Sequence, residues 1–164
     1  ISRTIRKAGD YINEEIIKLI KKKYKVEIGE QTSEACKIAL ADLRENAPVT
    51  VNRYAGRDTV MGVPKYIDIS SEDIREIIIP VYEEITKLVA TVLKETSPEL
   101  SADIFDNGIL LTGGGALIRG ADEFISNRIQ VGVKVTPEAL TCVAEGAKFL
   151  LKNRGDYLVN PLKL

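Results

Sequence analysis

The chain has 164 residues, 45% hydrophobic and 29% charged, enough for one domain with a real core or two small subdomains. Its 23 basic and 24 acidic residues leave a net charge of −1, so no global field draws it to nucleic acid. The absence of histidine excludes His-based general-base catalysis and most zinc chemistry, leaving carboxylates, lysines, hydroxyls and backbone dipoles.

Gly9-Asp10 opens the first helical pattern, with Ile12, Ile16, Leu19 and Ile20 on one face and Asp10 placed as N-cap. The basic run Lys18–Lys25 sits at its far end, where solvated lysines suit the negative end of the helix dipole. "IGEQTSEACKIALAD" reads as a second helix with Ala35, Ile38 and Ala39 inward. Glu34 and Lys37 stand three apart on one helical face, the spacing of an ordinary surface ion pair. Two strand-like segments, "VTVNRY" and "GVPKYIDI", follow around a turn assigned to Gly56. Alternation of Val49 with Val51 and of Ile67 with Ile69 predicts a hairpin buried on one side.

Ser70 or Ser71 then caps a long helix whose apolar positions run Ile74, Ile77, Ile78, Val81, Ile85, Leu88, Val89, Val92. Pro80 is expected to kink or split it. A short helix opens at Ser97-Pro98, with Pro at the first helical position. Next come a strand at 108–112, a glycine loop, a helix at 120–128 and a strand at 131–135. Thr136-Pro137-Glu138 is the expected start of a last helix that buries Leu140, Val143, Ala144, Ala147 and Leu151 and stops at Gly155. The apolar tail "YLVNPLKL" is expected to dock on something. The order predicts an α/β core, residues 1–26 and 71–164, with a small α+β insertion at 27–70.

"GILLTGGGALIRG", residues 108–120, carries the main functional signal. Gly113, Gly114 and Gly115 have no Cβ, so φ > 0 is open to them and another group can approach their backbone. The crevice beyond the carboxyl ends of strands is where ligands bind in open α/β sheets. The loop lacks the Gly-Lys-Ser/Thr of a Walker A motif, and Ile118 stands where a dinucleotide fingerprint needs its third glycine. A tight turn and a nucleotide loop both fit. Cys36 and Cys142 match no metal spacing and read as buried free thiols in a reducing cytoplasm. No signal peptide or bilayer-length apolar run is present. The chain begins at Ile1 and its single Met is Met61, so residues are expected before position 1.

The stretch "SPELSADIFDNGILLTGGGALIRGADEFIS" resembles the bacterial actins of the MreB family, as do "AGDYINEEII", "IGEQTSEACK", "GRDTVMGVPKYIDI" and "LTCVAEGAKFLL". The similarity runs in order over most of positions 7–152. It implies the second lobe of an actin-like (ribonuclease H-like) ATPase, from the superfamily of Hsp70, sugar kinases and FtsA. It also implies an ATP-hydrolysing filament protein governing cell shape, with ATP or ADP and Mg²⁺ held between two lobes. Glu34, Ala35, Cys36 and Lys37 would lie beside the adenosine, with Gly113, Gly114, Gly115 and Ala116 beneath it. The family's phosphate loops and catalytic acid would precede residue 1, so no catalytic residue and no metal ligand is assigned in this chain. Implied partners are further copies, the first lobe, the membrane surface, and cell-shape or division proteins, at the cytoplasmic face of the membrane. Where the family usually has Gly-Thr-Gly in the last helix, this chain has Gly146-Ala147-Lys148. An FtsA-like or Hsp70-like ATP-binding lobe, or an interaction module with a dead site, is the alternative.

Overall fold

A computed structural model describes residues 1–153. Helix α1, Gly9–Tyr24, starts behind Ala8, so Asp10 is not the N-cap but sits in the first turn, where its charge still faces the positive helix end. Lys21, Lys22 and Lys23 close the last turn. Lys25 then takes a left-handed conformation (φ 57°) and turns the chain into β1, Val26–Glu27. That two-residue strand is too short to alternate and had no sequence signature.

Helix α2, Glu30–Leu40, buries Ser33, Cys36 and Leu40. The expected inward face of Ala35 and Ile38 is wrong, and Ile38 is 73% exposed. The register is set by Ser33, whose hydroxyl donates to the Asn13 carbonyl of α1 at 2.8 Å. This bond faces one side of α2 toward α1 whatever the apolarity of Ile38.

Strands β2, Val51–Asp58, and β3, Pro64–Ser70, form the hairpin, paired from Val51↔Ser70 to Arg57↔Pro64, and β1 adds to β2 antiparallel. The turn is not at Gly56. It lies at 59–63, where the Asp58 carboxylate accepts the Val60 and Met61 amides at 2.8 and 3.0 Å and Gly62 has φ 71°. Gly56 lies within β2, where a Cβ would strike the Val26 side chain and stand 2.7 Å from the Glu27 carbonyl oxygen. The absent side chain admits β1 to the sheet edge. Ile67 and Ile69 are buried, whereas Val49 and Val51 face water, so β3 carries the hairpin's apolar side.

Ser70 caps α3, Ser71–Glu95, in a reciprocal capping box with Asp73. The helix is continuous through exposed Pro80 rather than split. Helix α4, Pro98–Asn107, leads into β4, Ile109–Leu111, and α5, Ala121–Ile129, crosses to β5, Val133–Val135, parallel to β4. The last described helix, α6, is Cys142–Lys152, starting six residues after Thr136. Thr136 does not cap it, because its hydroxyl donates to the Leu111 carbonyl at 3.1 Å and fastens the end of β5 to β4. The expected buried stripe is also overturned: no α6 residue is buried, and Leu140, Val143 and Leu151 are exposed. Gly155 and the tail lie outside the described residues.

One core unites these elements. Ile12, Ile16 and Ile20 of α1 meet Cys36 and Leu40 of α2, Ile67 and Ile69 of β3, Ile74 and Ile78 of α3, and Ile125 of α5. Asn13, beside Ile12 on α1, faces α2, and α3 runs beneath the glycine loop.

Candidate functional site

Of the three consecutive glycines, only Gly113 uses left-handed space, with φ 83°. Its amide donates to the Ala139 carbonyl at 2.7 Å, and Gly114–Leu117 then forms one 3-10 turn. From below, the Tyr82 hydroxyl of α3 donates to the Gly115 carbonyl at 2.6 Å. Tyr82 is buried, its phenol is pushed up to about 12 by that burial, and its ring meets Phe124 edge to face at 6.2 Å. It therefore remains a neutral, fixed donor. Gly114 and Gly115 are exposed, while Ala116 is buried and offers a ligand only its backbone. The result is a loop clamped on its inner side with bare main chain on its outer side. Sequence reading missed Tyr82 because only aliphatic positions were counted in the α3 stripe; its place four residues after Ile78 was the available signal.

Glu34 and Lys37 do pair, Nζ to Oε2 at 2.7 Å, yet the pair is only part of a larger constellation. Asn13 Nδ2 of α1 donates to the same Oε2 at 2.7 Å, and Lys37 Nζ reaches the Gly9 carbonyl at 3.3 Å. Lys37 and then Asn13 hold the Glu34 carboxyl below the usual carboxylate range. The Lys37 side chain is 12% exposed and that of Glu34 45%, so the carboxylate is the accessible partner. Ala35 is exposed beside it.

Cys36 lies wholly in the core, and burial pushes its thiol up to about 11, so only its backbone can serve a site. Cys142 is half-buried, which corrects the expectation of two buried thiols. At pH 8 a thiol reagent is expected to label Cys142 in the native protein and to reach Cys36 only after unfolding. Equal rates for both would show that the core around α2 opens.

Arg119, just beyond the glycine loop, joins the loop to the end of α2. Its guanidinium donates to the Ala39 and Ala41 carbonyls at 2.7 and 3.3 Å, and its own carbonyl accepts the Leu43 amide at 2.8 Å. The structure thus connects the two sets of expected residues through the carboxyl end of α2, without a direct hydrogen bond between them among the described residues. A surface cavity of about 320 Å³ lies farther along, among Arg44, Asn46, Gly120, Glu123 and Arg128, and neither Gly113–Gly115 nor Glu34 lines it. Among the described residues no three Asp, Glu or Cys side chains gather as a metal site.

The family model for MreB/Mbl protein matches residues 1–158. The cell shape-determining protein Mbl of Bacillus cereus is 41% identical over 152 residues, which are 93% of this chain and 46% of that protein. MreB 5 of Spiroplasma citri bound to AMPPNP is 38% identical, with a TM-score of 0.87 over 95% of this chain and 47% of that one. A double helical filament of MamK shares the actin-like fold at 22% identity, with a TM-score of 0.77 over 92% of this chain and 46% of that one. The chain therefore spans about half the length of the proteins it matches. On its sequence and its fold, the chain belongs to the MreB/Mbl family.

Proposed function

We propose that this chain is the nucleotide-binding second lobe of an actin-like filament protein that shapes the cell. Adenosine rests on Gly113–Ala116, and its ribose lies against Glu34 and Lys37. The observation that carries this reading is the exposed backbone of Gly114–Gly115, with the Gly115 carbonyl held by the Tyr82 hydroxyl and the Gly113 amide by the Ala139 carbonyl. A relative of such close fold, seen with AMPPNP, supports it. Glycine lets a nucleoside approach the main chain, and a carboxylate accepts hydrogen bonds from ribose hydroxyls. Lys37, nearly buried behind Glu34, neutralises and orients that carboxylate. The unit of residues 1–26 and 71–164 carries the glycine loop, and the insertion at 27–70 supplies Glu34 and Lys37 to the same site.

This lobe's share of the chemistry is to bind and orient. Phosphoryl transfer to water, assisted by Mg²⁺ on the phosphates, would depend on positioning and charge neutralisation. No step is assigned to a side chain here. Assembly is head to tail between copies, a heterologous contact that does not close and so makes a filament. Such filaments work in the cytoplasm along the membrane; no helix among the described residues is long and apolar enough to cross one.

In the full-length protein that carries this sequence, Glu34→Ala is expected to weaken ATP binding by about 1–3 kcal/mol, the range for a hydrogen bond to a charged group. Titration calorimetry measures it, and light scattering after ATP addition reports assembly. Unchanged affinity would return Glu34 to the role of a surface ion-pair member.

A further inference from the structure

We infer that Asn13 of α1 is a positioning residue for the nucleoside: its carboxamide, together with the Lys37 ammonium, occupies Oε2 of Glu34 and leaves Oε1 for the ribose hydroxyls. This rests on the nucleotide reading above.

Both donors fall on one oxygen. Asn13 Nδ2 and Lys37 Nζ each stand 2.7 Å from Oε2, while no hydrogen bond among the described residues ends on Oε1. An ionised carboxylate has acceptor capacity on both oxygens, so filling one leaves the other fully available. Because Glu34 is half-exposed, the available oxygen can be reached from outside. Reversing the Asn13 amide would set its Oδ1 against the carboxylate, so the negative charge of Glu34 selects the orientation with Nδ2 toward it.

That orientation has a cost: Asn13 Oδ1 is buried and has no hydrogen-bond partner among the described residues. A side chain that merely filled space between two helices would not strand a buried acceptor. Nor is the carboxamide needed to dock α2. Docking uses the Asn13 backbone, whose carbonyl takes the Ser33 hydroxyl at 2.8 Å. The side chain's described bond is the one to Glu34, and it adds to Lys37 in keeping that carboxyl ionised.

The consequence is a ribose-dependent effect that a structural role does not produce. ATP and 2′,3′-dideoxy-ATP differ in the hydroxyls that would donate to Oε1. In the full-length protein, ATP is expected to bind about tenfold more tightly than the dideoxy form, the worth of one charge-assisted hydrogen bond. Asn13→Ala should weaken ATP by about fivefold, leave the dideoxy nucleotide nearly unchanged and narrow the gap to about twofold. Asn13→Asp keeps the shape but replaces the donor with an acceptor opposite Glu34, and should narrow the gap as well. Ser33→Ala is the contrast: it removes the bond that docks the helices, so it should lower the melting temperature while keeping the gap. Thermal melts and calorimetry on the four proteins provide both readouts. A gap that persists in both Asn13 variants overturns the positioning role and leaves the nucleotide reading standing. If the wild type itself shows no gap, the ribose is not at Glu34, and that placement and the inference fall together.

Discussion

Gly115→Val is expected to reduce ATP affinity in the full-length protein about a hundredfold, the upper end of the 1–3 kcal/mol that overpacking costs. The backbone at Gly115 belongs to a 3-10 turn and not to the left-handed region, so valine can adopt it. What valine cannot do is fit on both sides. A Cβ there stands 3.3 Å from the Tyr82 hydroxyl oxygen, so the branched methyl groups turn either onto Tyr82 or outward into the space proposed for the nucleoside. Binding of labelled ATP measures the loss, and a thermal melt separates it from the smaller destabilisation expected from crowding Tyr82. The same substitution at Gly113 would be less informative, because its φ of 83° strains any β-branched residue whether or not a ligand is near. Wild-type affinity in the Gly115 variant would mean that the three glycines only form a turn.

Asp73→Ala should cost about 2–4 kcal/mol of folding stability, combining a lost helix cap with a half-buried Tyr24 hydroxyl left without its acceptor. Asp73 is 2% exposed, accepts the Tyr24 hydroxyl at 2.5 Å and the Ser70 amide at 3.2 Å, and pairs with Lys23. One carboxylate thus fastens the end of α1 to the start of α3. Burial pushes its pKa up, but Lys23, Tyr24 and the Ser70 amide outweigh this and hold it below the ordinary value of 3.8. A native pKa lower than the unfolded one contributes stability above about pH 4, which is lost as pH falls through the native value. Urea unfolding of wild type and Asp73→Ala across pH 2–7 checks both claims. The variant should be weaker near neutrality and its stability should depend less on acid. An equal acid dependence would place the controlling carboxylate elsewhere.

The long periodic helices α1 and α3 and the parallel β4–α5–β5 unit were legible because apolar spacing alone describes them. The inward face of α2 was not. It is set by the hydroxyl of Ser33 reaching across 20 residues to Asn13, which no local pattern encodes. The start of α6 was misplaced for a similar reason, since Thr136 has the residue type of a cap but spends its hydroxyl on Leu111, 25 residues away. In the candidate site, the glycines and the Glu34–Lys37 spacing were visible, and the family resemblance gave them a possible role. The spacing after Ile78 could have placed Tyr82 on the inner face of α3, but its role and that of Asn13 were not legible: each acts on a partner 33 or 21 residues distant, and each looks like an ordinary member of an amphipathic helix.

The unbroken course of α3 also has a mechanical meaning. From its cap at Ser70 to Tyr82 the axis runs about 18 Å, so the base of the hairpin and the clamp on the glycine loop share one rod. Pro80 cannot donate to the Glu76 carbonyl, and both residues are exposed. The rod therefore lacks one rung of its hydrogen-bond ladder just before Tyr82, on its exposed side. A bend at this missing rung would change the angle at which the Tyr82 phenol meets Gly115.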